Sequence, residues 1–307
     1  MSYKDRTKWP IWRLGLRAFP GFGLLCLSAV AAAQELSAIS PTVGPSELFR
    51  RVIANQKQSE TDLAEYAFTQ RIEKRKTESA REPSETKVWR VFPTGPGTDK
   101  LALSADGKPL SVESYRGELE KLEKYLVWAA QSGAAQREAY ARAERKRKER
   151  DDLIEATHQA FRYTLSGKEM RGDRTLLRYT FAPNPEYKPT SRTTILFTKV
   201  RGTLWIDEQS SQLAKVEGTV TEDVSLGVFL AKVYKGSHFM QERYEIAPGI
   251  WEPTFEQYDF DGRKFFSSFS IHERTTYTDY KRVGPPKEAV GQVRAELNKL
   301  SATQPAQ

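Results

Sequence analysis

A succession of short apolar runs separated by compact turns fills residues 161–283 and limits the possible folds more than any other feature. The clearest pair, RGTLWIDEQSSQLAKVEG at 201–218, folds two apolar-edged runs around the polar stretch 207–211. Turn sequences such as RGD, APG and DFDG leave no room for crossover helices, so we expect an antiparallel sheet. The other runs lie at 161–166, 176–181, 193–200, 228–234, 238–246, 251–260 and 264–280.

A single sheet with this many short strands has to protect the unpaired backbone groups of its edge strands and bury one apolar face. It does so by curling or by closing into a barrel. We therefore predict an α+β fold dominated by a curved antiparallel sheet that forms a half-open β-barrel, with helices packed into its concave side. The first helix begins near Ser46, a favourable N-cap residue, and runs to about Gln58. Its apolar side chains recur at helical spacing at Leu48, Phe49, Val52 and Ile53.

Residues 111–160 have a different composition, in which proline is absent and Glu, Lys, Arg, Ala and Gln dominate, and this favours helix. Because QSG at 131–133 indicates a bend, we interpret the segment as a long helical hairpin inserted into the β framework. The expected organisation is a signal peptide at 1–33, a linker at 34–45, one half-barrel domain at 46–283 and a polar tail at 284–307 that holds only a short helix.

The N-terminal segment predicts export. Five basic residues precede or enter an apolar run, and Ala31-Ala32-Ala33 offers a cleavage site after Ala33; an uncleaved anchor is the alternative. Removal of 1–33 would take away five of the 48 Lys and Arg residues and the single cysteine, Cys26. The mature chain then has nearly balanced charge and no disulfide, and we expect no nucleic-acid binding.

No catalytic constellation is recognisable in the sequence. The three histidines, His158, His238 and His272, do not stand at metal-ligand spacing, and no G-x-S-x-G elbow or phosphate-binding glycine loop is present. DFDG at 259–262 resembles the start of a calcium loop but lacks the further oxygen ligands, so a hairpin turn is the better interpretation. We expect a non-enzymatic protein without cofactor or metal; an enzyme would need histidines or paired carboxylates to converge in a cleft.

A basic stretch in the second half of the insertion is the main candidate for a docking surface. Interspersed glutamates make a solvated helix face one interpretation. The other is docking to anionic headgroups or an acidic envelope partner, at about 1 kcal/mol per basic residue. The candidate docking residues are Arg142, Arg145, Lys146, Arg147, Lys148 and Arg150.

The apolar strand residues allow two interpretations. They form an ordinary core, or they line an incompletely filled half-barrel, whose apolar cavity would suit an acyl chain. Alternation along the strands places Ala214 on the same face as Leu204 and Val216, and Trp251 on the same face as Phe255. The candidate lining residues are Leu204, Ile206, Val216, Trp251, Phe255, Phe265 and Phe269.

The run GTLWIDEQSSQLAKVEG, followed by ERYEIAPGIWEPTFEQYDF, resembles the second half of LolA-like outer-membrane lipoprotein-sorting proteins and of the N-terminal domains of the RseB and MucB stress regulators. The resemblance covers roughly 46–92 and 161–282. It implies a periplasmic half-barrel of a Gram-negative envelope that carries or senses lipids or lipid-modified proteins. The alternative from a different class is an envelope interaction protein with a filled core, which uses the basic helical insertion as its working surface.

Overall fold

The computed structural model describes residues 45–105, 107–225 and 231–302. The predicted signal peptide, the linker up to residue 44 and the last five residues of the tail lie outside these ranges. Twelve strands form one sheet: β1 Tyr66–Arg75, β2 Glu85–Pro93, β3 Thr98–Ala102, β6 Phe161–Arg171, β7 Arg174–Pro183, β8 Val200–Asp207, β9 Leu213–Val220, β10 Val224–Ser225, β11 Ala231–Val233, β12 His238–Ala247, β13 Ile250–Lys264 and β14 Ser267–Arg282. A separate ladder consists of β4 Ser104–Ala105 and β5 Lys108–Pro109.

The strand order of the large sheet is β3-β2-β1-β14-β13-β12-β9-β8-β7-β6, and β10 and β11 pair beside β13. Every pairing is antiparallel. Since β3 and β6 end the order without pairing to each other, the sheet is open. The predicted α+β fold with a curved, half-open antiparallel sheet is confirmed.

Compact turns set the register of neighbouring strands. Gly172 takes a φ of 62° between β6 and β7, and Gly249 takes 77° between β12 and β13. Glycine occupies this left-handed region at little cost. Between β8 and β9, the Ser210 N–H donates to the Asp207 carboxylate at 2.8 Å. The turns predicted at RGD, APG and 207–211 are confirmed.

Within the described ranges, five α-helices pack on the two faces of the sheet: α1 Pro45–Asp62, α2 Val112–Ala129, α3 Ala134–Ala160, α4 Arg192–Phe197 and α5 Pro286–Ala302. Helices α1 and α4 and the C-terminal part of α3 cover one face, which we call the inner face. Helices α2 and α5 pack on the opposite, outer face, at the end formed by β1, β2 and β3. The two helices of the predicted insertion are present, and they pack on opposite faces of the sheet.

The main core lies between the inner face and α1, α3 and α4. The helices contribute Phe49, Ala160 and Phe197, and the strands contribute a continuous apolar layer. Because a buried large apolar side chain stabilises a fold by about 1.5–3 kcal/mol, this layer holds the helices on β6 to β9. Its strand residues include Leu177, Tyr179, Phe181, Val200, Leu204, Ile206, Leu213, Val216, Val220, Phe239 and Phe260.

A second apolar cluster lies on the outer face, where α2 meets α5. Leu119, Leu122 and Leu126 recur on one side of α2 and are fully buried there. Beside them, the Arg90 guanidinium of β2 donates to the Glu296 carboxylate of α5 at 2.7 Å. This part of the sheet is therefore tied to the C-terminal helix by both packing and charge.

The segment 193–200, predicted as a strand, forms α4 and the turn after it. The Ser191 hydroxyl accepts a hydrogen bond from the Thr194 N–H at 3.2 Å, and the Thr194 hydroxyl accepts one from the Ser191 N–H at 2.9 Å. This reciprocal capping box starts a helix despite the β-branched residues of the segment. The helix buries Leu196 and Phe197 in the main core, which a strand here would not do.

The DFDG stretch, predicted as a hairpin turn, lies inside β13. The chain turns later, at Phe265 and Phe266, between β13 and β14. Gly262 serves a different purpose, since a Cβ atom there would lie 2.2 Å from the Lys232 carbonyl oxygen of β11. Glycine is needed for this close approach of two backbones.

Both terminal helices are longer than predicted. Helix α1 runs to Asp62 instead of Gln58. The tail after 284, expected to hold only a short helix, contains the 17 residues of α5. Ala289, Val290 and Val293 make α5 amphipathic, and their burial against α2 stabilises it.

Candidate functional site

The predicted acyl-binding cavity corresponds to the inner face, where the protein's own helices cover the sheet. Leu204 and Ile206 are 0% exposed and Val216 is 1% exposed. They belong to the same core cluster as Leu48 and Phe49 of α1. The apolar part of the inner face is therefore packed with side chains.

An irregularity in the strand register separates two of the lining candidates. The pairing of β12 with β13 shifts between Glu242 and Arg243, which breaks the alternation along β13. Trp251 is buried in a small cluster with three residues from other strands. Phe255 instead lines a pocket on the outer face.

The remaining lining candidates have three different environments. A register shift between Trp205 and Ile206 puts Ala214 in the small cluster around Trp251 and separates it from Val216. Phe269 is half-buried against the main core. Phe265 is 52% exposed at the tip of the β13–β14 hairpin. The seven candidates thus do not line one common space.

A hydrogen-bonded row of polar side chains crosses the centre of the inner face. The Tyr277 hydroxyl and the Gln241 amide donate to the two oxygens of Glu256 at 2.6 and 2.8 Å. The Lys100 ammonium donates to Gln70 at 2.6 Å, and Gln70 donates to Tyr277 at 3.4 Å. The row connects β3, β1, β14, β13 and β12. Such a polar layer is unsuited to an acyl chain, because hydrocarbon offers no hydrogen bond to polar and charged groups and covering them is costly.

A buried carboxyl group adds to this polar interior. Glu252 is 2% exposed, and one of its oxygens lies 3.8 Å from the Arg243 guanidinium. Burial raises the pKa of Glu252 to about 8; Arg243 opposes this rise, and Glu60 and Asp62 add to it. The side-chain amide of Gln56, on α1, is buried without a hydrogen-bond partner among the described residues.

Three strands bring two histidines and an aspartate into one row on the outer face. The register pairs His238 of β12 with Asp259 of β13, and Asp259 with His272 of β14. His272 Nδ1 lies 3.0 Å from Asp259 Oδ1, and His238 Nε2 lies 3.3 Å from Asp259 Oδ2. Burial alone would raise the pKa of Asp259, but hydrogen bonds from Arg274, Gln257 and His272 outweigh it and lower that pKa. Asp259 is therefore a buried anion at the centre of the row.

The loop between β1 and β2 brings a second carboxylate to this row. Glu78 Oε1 lies 3.6 Å from His238 Nε2, and the Glu78 side chain is 61% exposed. Arg75 holds the loop by donating to the Ala80 carbonyl oxygen at 2.7 Å. Glu78, His238 and Asp259 each offer one ligand atom, and these atoms lie within 4.8 Å of one another. The three residues could hold a metal ion.

An open pocket of about 340 Å³ adjoins the row on the outer face. Glu73 pairs with Arg71 at 2.9 Å and with Arg75 at 3.3 Å inside it. The pocket is therefore charged and suits a small polar ligand better than an acyl chain. Its lining residues are Arg71, Glu73, Arg75, Phe255, Arg274 and Thr276.

The basic stretch predicted as a docking surface lies on the middle of α3, where every residue from 144 to 150 is charged. Arg145, Lys146 and Lys148 are exposed and have no ion pair among the described residues. A helix segment of this kind is held at its ends and is free to contact a partner along its length. The other three basic residues form ion pairs, Arg142 with Glu138, Arg147 with Glu144 and Arg150 with Glu60.

Two aromatic side chains are exposed at the tip of the β13–β14 hairpin. Phe265 is 52% and Phe266 is 93% exposed, and Arg263 and Lys264 precede them. Phe265 has a φ of 53°, a left-handed conformation that costs a bulky residue on the order of 1 kcal/mol. An exposed aromatic pair in a strained turn contributes little to folding in water, so it indicates a contact outside the molecule.

The remaining histidine, His158, lies on α3, apart from the His238–Asp259–His272 row. Burial lowers the pKa of His158 to about 3, and the nearby Lys57 ammonium lowers it further. The imidazole is therefore neutral at physiological pH. The side chain is half-buried, and its Nδ1 has no hydrogen-bond partner among the described residues.

Comparison with known proteins yields structural similarity only. No family model matches the chain, and no curated protein matches it. A LolA superfamily protein from Nitrosomonas europaea is similar over 78% of this chain and 96% of its own, with a TM-score of 0.31 and 8% identity. A putative outer-membrane lipoprotein-sorting protein domain from Vibrio parahaemolyticus is similar over 75% of this chain and 91% of its own, with a TM-score of 0.31 and 12% identity.

A protein of the DUF1329 family from Desulfovibrio piger is also similar, over 76% of this chain and 93% of its own, with a TM-score of 0.23 and 10% identity. The chain thus resembles LolA-type proteins, as its strand motifs predicted. At these identities and TM-scores no residue, ligand or partner is transferred from them. Among the described residues, no helix is both long and apolar enough to cross a bilayer.

The outer-face row was missed by the sequence interpretation, although a signal for half of it exists. Ala247 and Ile250 flank the Pro-Gly turn between β12 and β13. His238 lies nine residues before Ala247, and Asp259 lies nine residues after Ile250. Counting outward from that turn would have placed His238 opposite Asp259. Because the next turn was assigned to DFDG, His272 could not be placed in the same way. The approach of Glu78 has no signal in the sequence.

Proposed function

We propose that the protein is an exported, non-enzymatic protein of the Gram-negative envelope that docks reversibly on an anionic lipid surface. The observation that carries this proposal is the hairpin tip, where Phe265 and Phe266 project into solvent behind Arg263 and Lys264. Aromatic tips flanked by basic residues suit the boundary between headgroups and acyl chains. The signal-like N-terminal sequence supports a periplasmic location.

The energetics of the tip are those of a weak, reversible contact. Burial of each phenylalanine contributes about 1.5–3 kcal/mol, and each basic residue near an anionic surface contributes about 1 kcal/mol. The four residues together supply roughly 5–8 kcal/mol, and the lower value is comparable to the marginal binding of a single lipid anchor. The exposed cations Arg145, Lys146 and Lys148 of α3 provide a second attachment if both surfaces reach the membrane.

The filled inner face supports an exterior site. Acyl-chain binding in the half-barrel would require an apolar space, whereas Leu204, Ile206 and Val216 are already buried in the core cluster that includes α1 residues. The rest of the inner face carries the polar row through Glu256 and Tyr277. The inner face thus supports a role in stability, and we assign lipid binding to the outer surface of the protein.

The test is co-sedimentation of the protein with vesicles. We expect binding to phosphatidylglycerol-rich vesicles, weaker binding to phosphatidylcholine vesicles and release at high salt. Replacing Phe265 and Phe266 by serine should weaken binding by at least about tenfold, since one factor of ten corresponds to about 1.4 kcal/mol. Both residues are exposed, so folding should be unaffected.

A matched control is available at another hairpin tip. Met170 is the last residue but one of β6 and is 64% exposed, so Met170→Ser removes an exposed apolar side chain elsewhere and should leave vesicle binding unchanged. Charge reversal of Arg145, Lys146 and Lys148 measures the contribution of α3 separately. Equal binding by the wild type and the double serine variant would reject the proposal. Binding of an acidic envelope protein without vesicle binding would also reject it.

A second candidate, an acyl carrier, is favoured by one observation, the apolar side of α1. Leu48, Phe49 and Val52 are its main contacts with the core and contribute roughly 5–9 kcal/mol. An acyl chain of 14 to 16 carbons would supply roughly 11–13 kcal/mol at about 0.8 kcal/mol per CH₂, enough to displace the helix in water. Lipid extraction from the purified protein, with quantification by mass spectrometry, tests this candidate: one lipid per chain would support it, and none would exclude it.

A further inference from the structure

We propose that Glu78, His238 and Asp259 form a binding site for a divalent transition-metal ion, for which Zn²⁺ is the appropriate probe. The ion would fasten the β1–β2 loop, which carries Glu78, to the outer face of β12 and β13. One imidazole nitrogen and two carboxylate oxygens are ligands that Zn²⁺ and related ions accept. A solvent molecule would complete the coordination, because the site opens toward the exposed side of Glu78.

The distances fit a tetrahedral ion. With metal–ligand distances near 2.1 Å, the ligand atoms of a tetrahedral site lie about 3.4 Å apart. His238 Nε2 lies 3.3 Å from Asp259 Oδ2 and 3.6 Å from Glu78 Oε1. Two edges of the tetrahedron are thus already present. The third can close by a small rotation of Glu78, whose side chain is largely in solvent.

The orientation of the imidazole points to a cation at this position. His238 Nδ1 lies 3.4 Å from the Gly236 carbonyl oxygen. When Nδ1–H donates to that carbonyl, Nε2 carries the lone pair and faces two carboxylate oxygens. The Gln257 amide, 3.4 Å from Nε2, brings only a partial positive charge to these three electron-rich atoms, whereas a metal ion would bring a full one. A ligating histidine usually donates its other ring N–H to a backbone carbonyl or a carboxylate, which fixes the orientation of the ring.

Other residues hold the carboxylate of Asp259 in place. Gln257 donates to Oδ2 at 2.7 Å, and Arg274 lies 2.9 Å from the same oxygen. His272 Nδ1 contacts Oδ1 at 3.0 Å. Asp259 is thus a preorganised ligand, and the charge of Arg274 limits the affinity of the site for the ion. We therefore expect micromolar rather than nanomolar binding.

The test is calorimetric titration of Zn²⁺ into the untagged, chelator-treated protein, with Co²⁺ absorption as a readout of tetrahedral geometry. We expect one ion per chain. Glu78→Gln and His238→Gln should each weaken binding by at least about tenfold, because each removes one of the three ligands. Zn²⁺ should also raise the thermal midpoint of the wild type, because it binds only the folded chain.

Two matched controls separate the site from adventitious binding. Glu82→Gln changes an exposed glutamate of the same loop, and His158→Gln changes a histidine on α3; both should bind Zn²⁺ as the wild type does. Because Glu78 is exposed, Glu78→Gln should fold normally, and circular dichroism checks this. Absence of saturable binding below about 100 μM, or binding unchanged in Glu78→Gln and His238→Gln, would overturn the proposal.

Discussion

Truncation of Leu204 distinguishes a filled inner face from a hollow one. Leu204 is 0% exposed in the main core, so Leu204→Ala removes three buried carbon atoms and leaves a cavity. The transfer cost of about 0.8 kcal/mol per carbon, with the added cavity cost, gives a loss of roughly 3 kcal/mol in the free energy of unfolding. If Leu204 lined an open cavity, few contacts would be lost and the cost would fall below about 1 kcal/mol.

Urea unfolding followed by circular dichroism measures this loss. Phe265→Ala is the matched control, because Phe265 is also a large apolar residue but projects at the hairpin tip, and its loss should cost less than about 0.5 kcal/mol. The two variants should differ in midpoint with similar slopes. A Leu204→Ala variant as stable as Phe265→Ala would refute the filled core.

Three further predictions concern stability. Glu252→Gln should flatten the pH dependence of the free energy of unfolding. The folded-state pKa of about 8 lies above the ordinary value of 4.5, so the wild type loses stability as pH rises between these values, by up to roughly 3 kcal/mol at pH 7. Urea titrations at pH 5, 7 and 8 would show this loss. His158→Gln should make the protein less sensitive to unfolding by acid. Because the folded-state pKa is about 3, only the unfolded chain gains a proton at this residue as pH falls below about 6.5, and this favours unfolding of the wild type. Equal midpoints of acid unfolding for the wild type and the variant would contradict this. Gly202→Ala should destabilise the protein by about 1–3 kcal/mol or prevent folding, since its Cβ atom would lie 1.9 Å from the Glu217 carbonyl oxygen; thermal denaturation measures the loss.

The sheet could be predicted because its determinants are local. The turns at 172 and 249 require glycine, and the apolar alternation on either side indicates the strands. The amphipathic spacing of Leu48, Phe49 and Val52 likewise predicts α1. Where propensity and a local cap disagree, as at 193–200, the capping box of Ser191 decided the outcome, and strand propensity was misleading.

Features that depend on register could not be predicted in the same way. The shift between Glu242 and Arg243 breaks the alternation along β13. Trp251 lies in a buried cluster and Phe255 lines the open pocket, so the two residues do not line one common space. DFDG has favourable turn composition, but Gly262 is required by the approach of β11. The approach of β11 to β13 brings together residues far apart in sequence, so it cannot be predicted from a local sequence pattern.

The candidate sites show the same division between local and long-range information. The basic stretch on α3 was visible in the sequence because its residues are consecutive. The outer-face row joins His238, Asp259 and His272 through the register of three strands, and Glu78 reaches it through a loop. Apolar composition indicated which side chains are buried but could not show whether helices or a ligand would cover them.

Titration of a fluorescent fatty acid into the purified protein tests most directly whether the inner face is filled. We expect no saturable increase in emission with the wild type, because α1 occupies the apolar surface. Phe49→Ala, which opens space beneath α1, should gain weak binding. Saturable binding of one probe per wild-type chain would contradict the account and restore the half-barrel as a lipid-binding cavity.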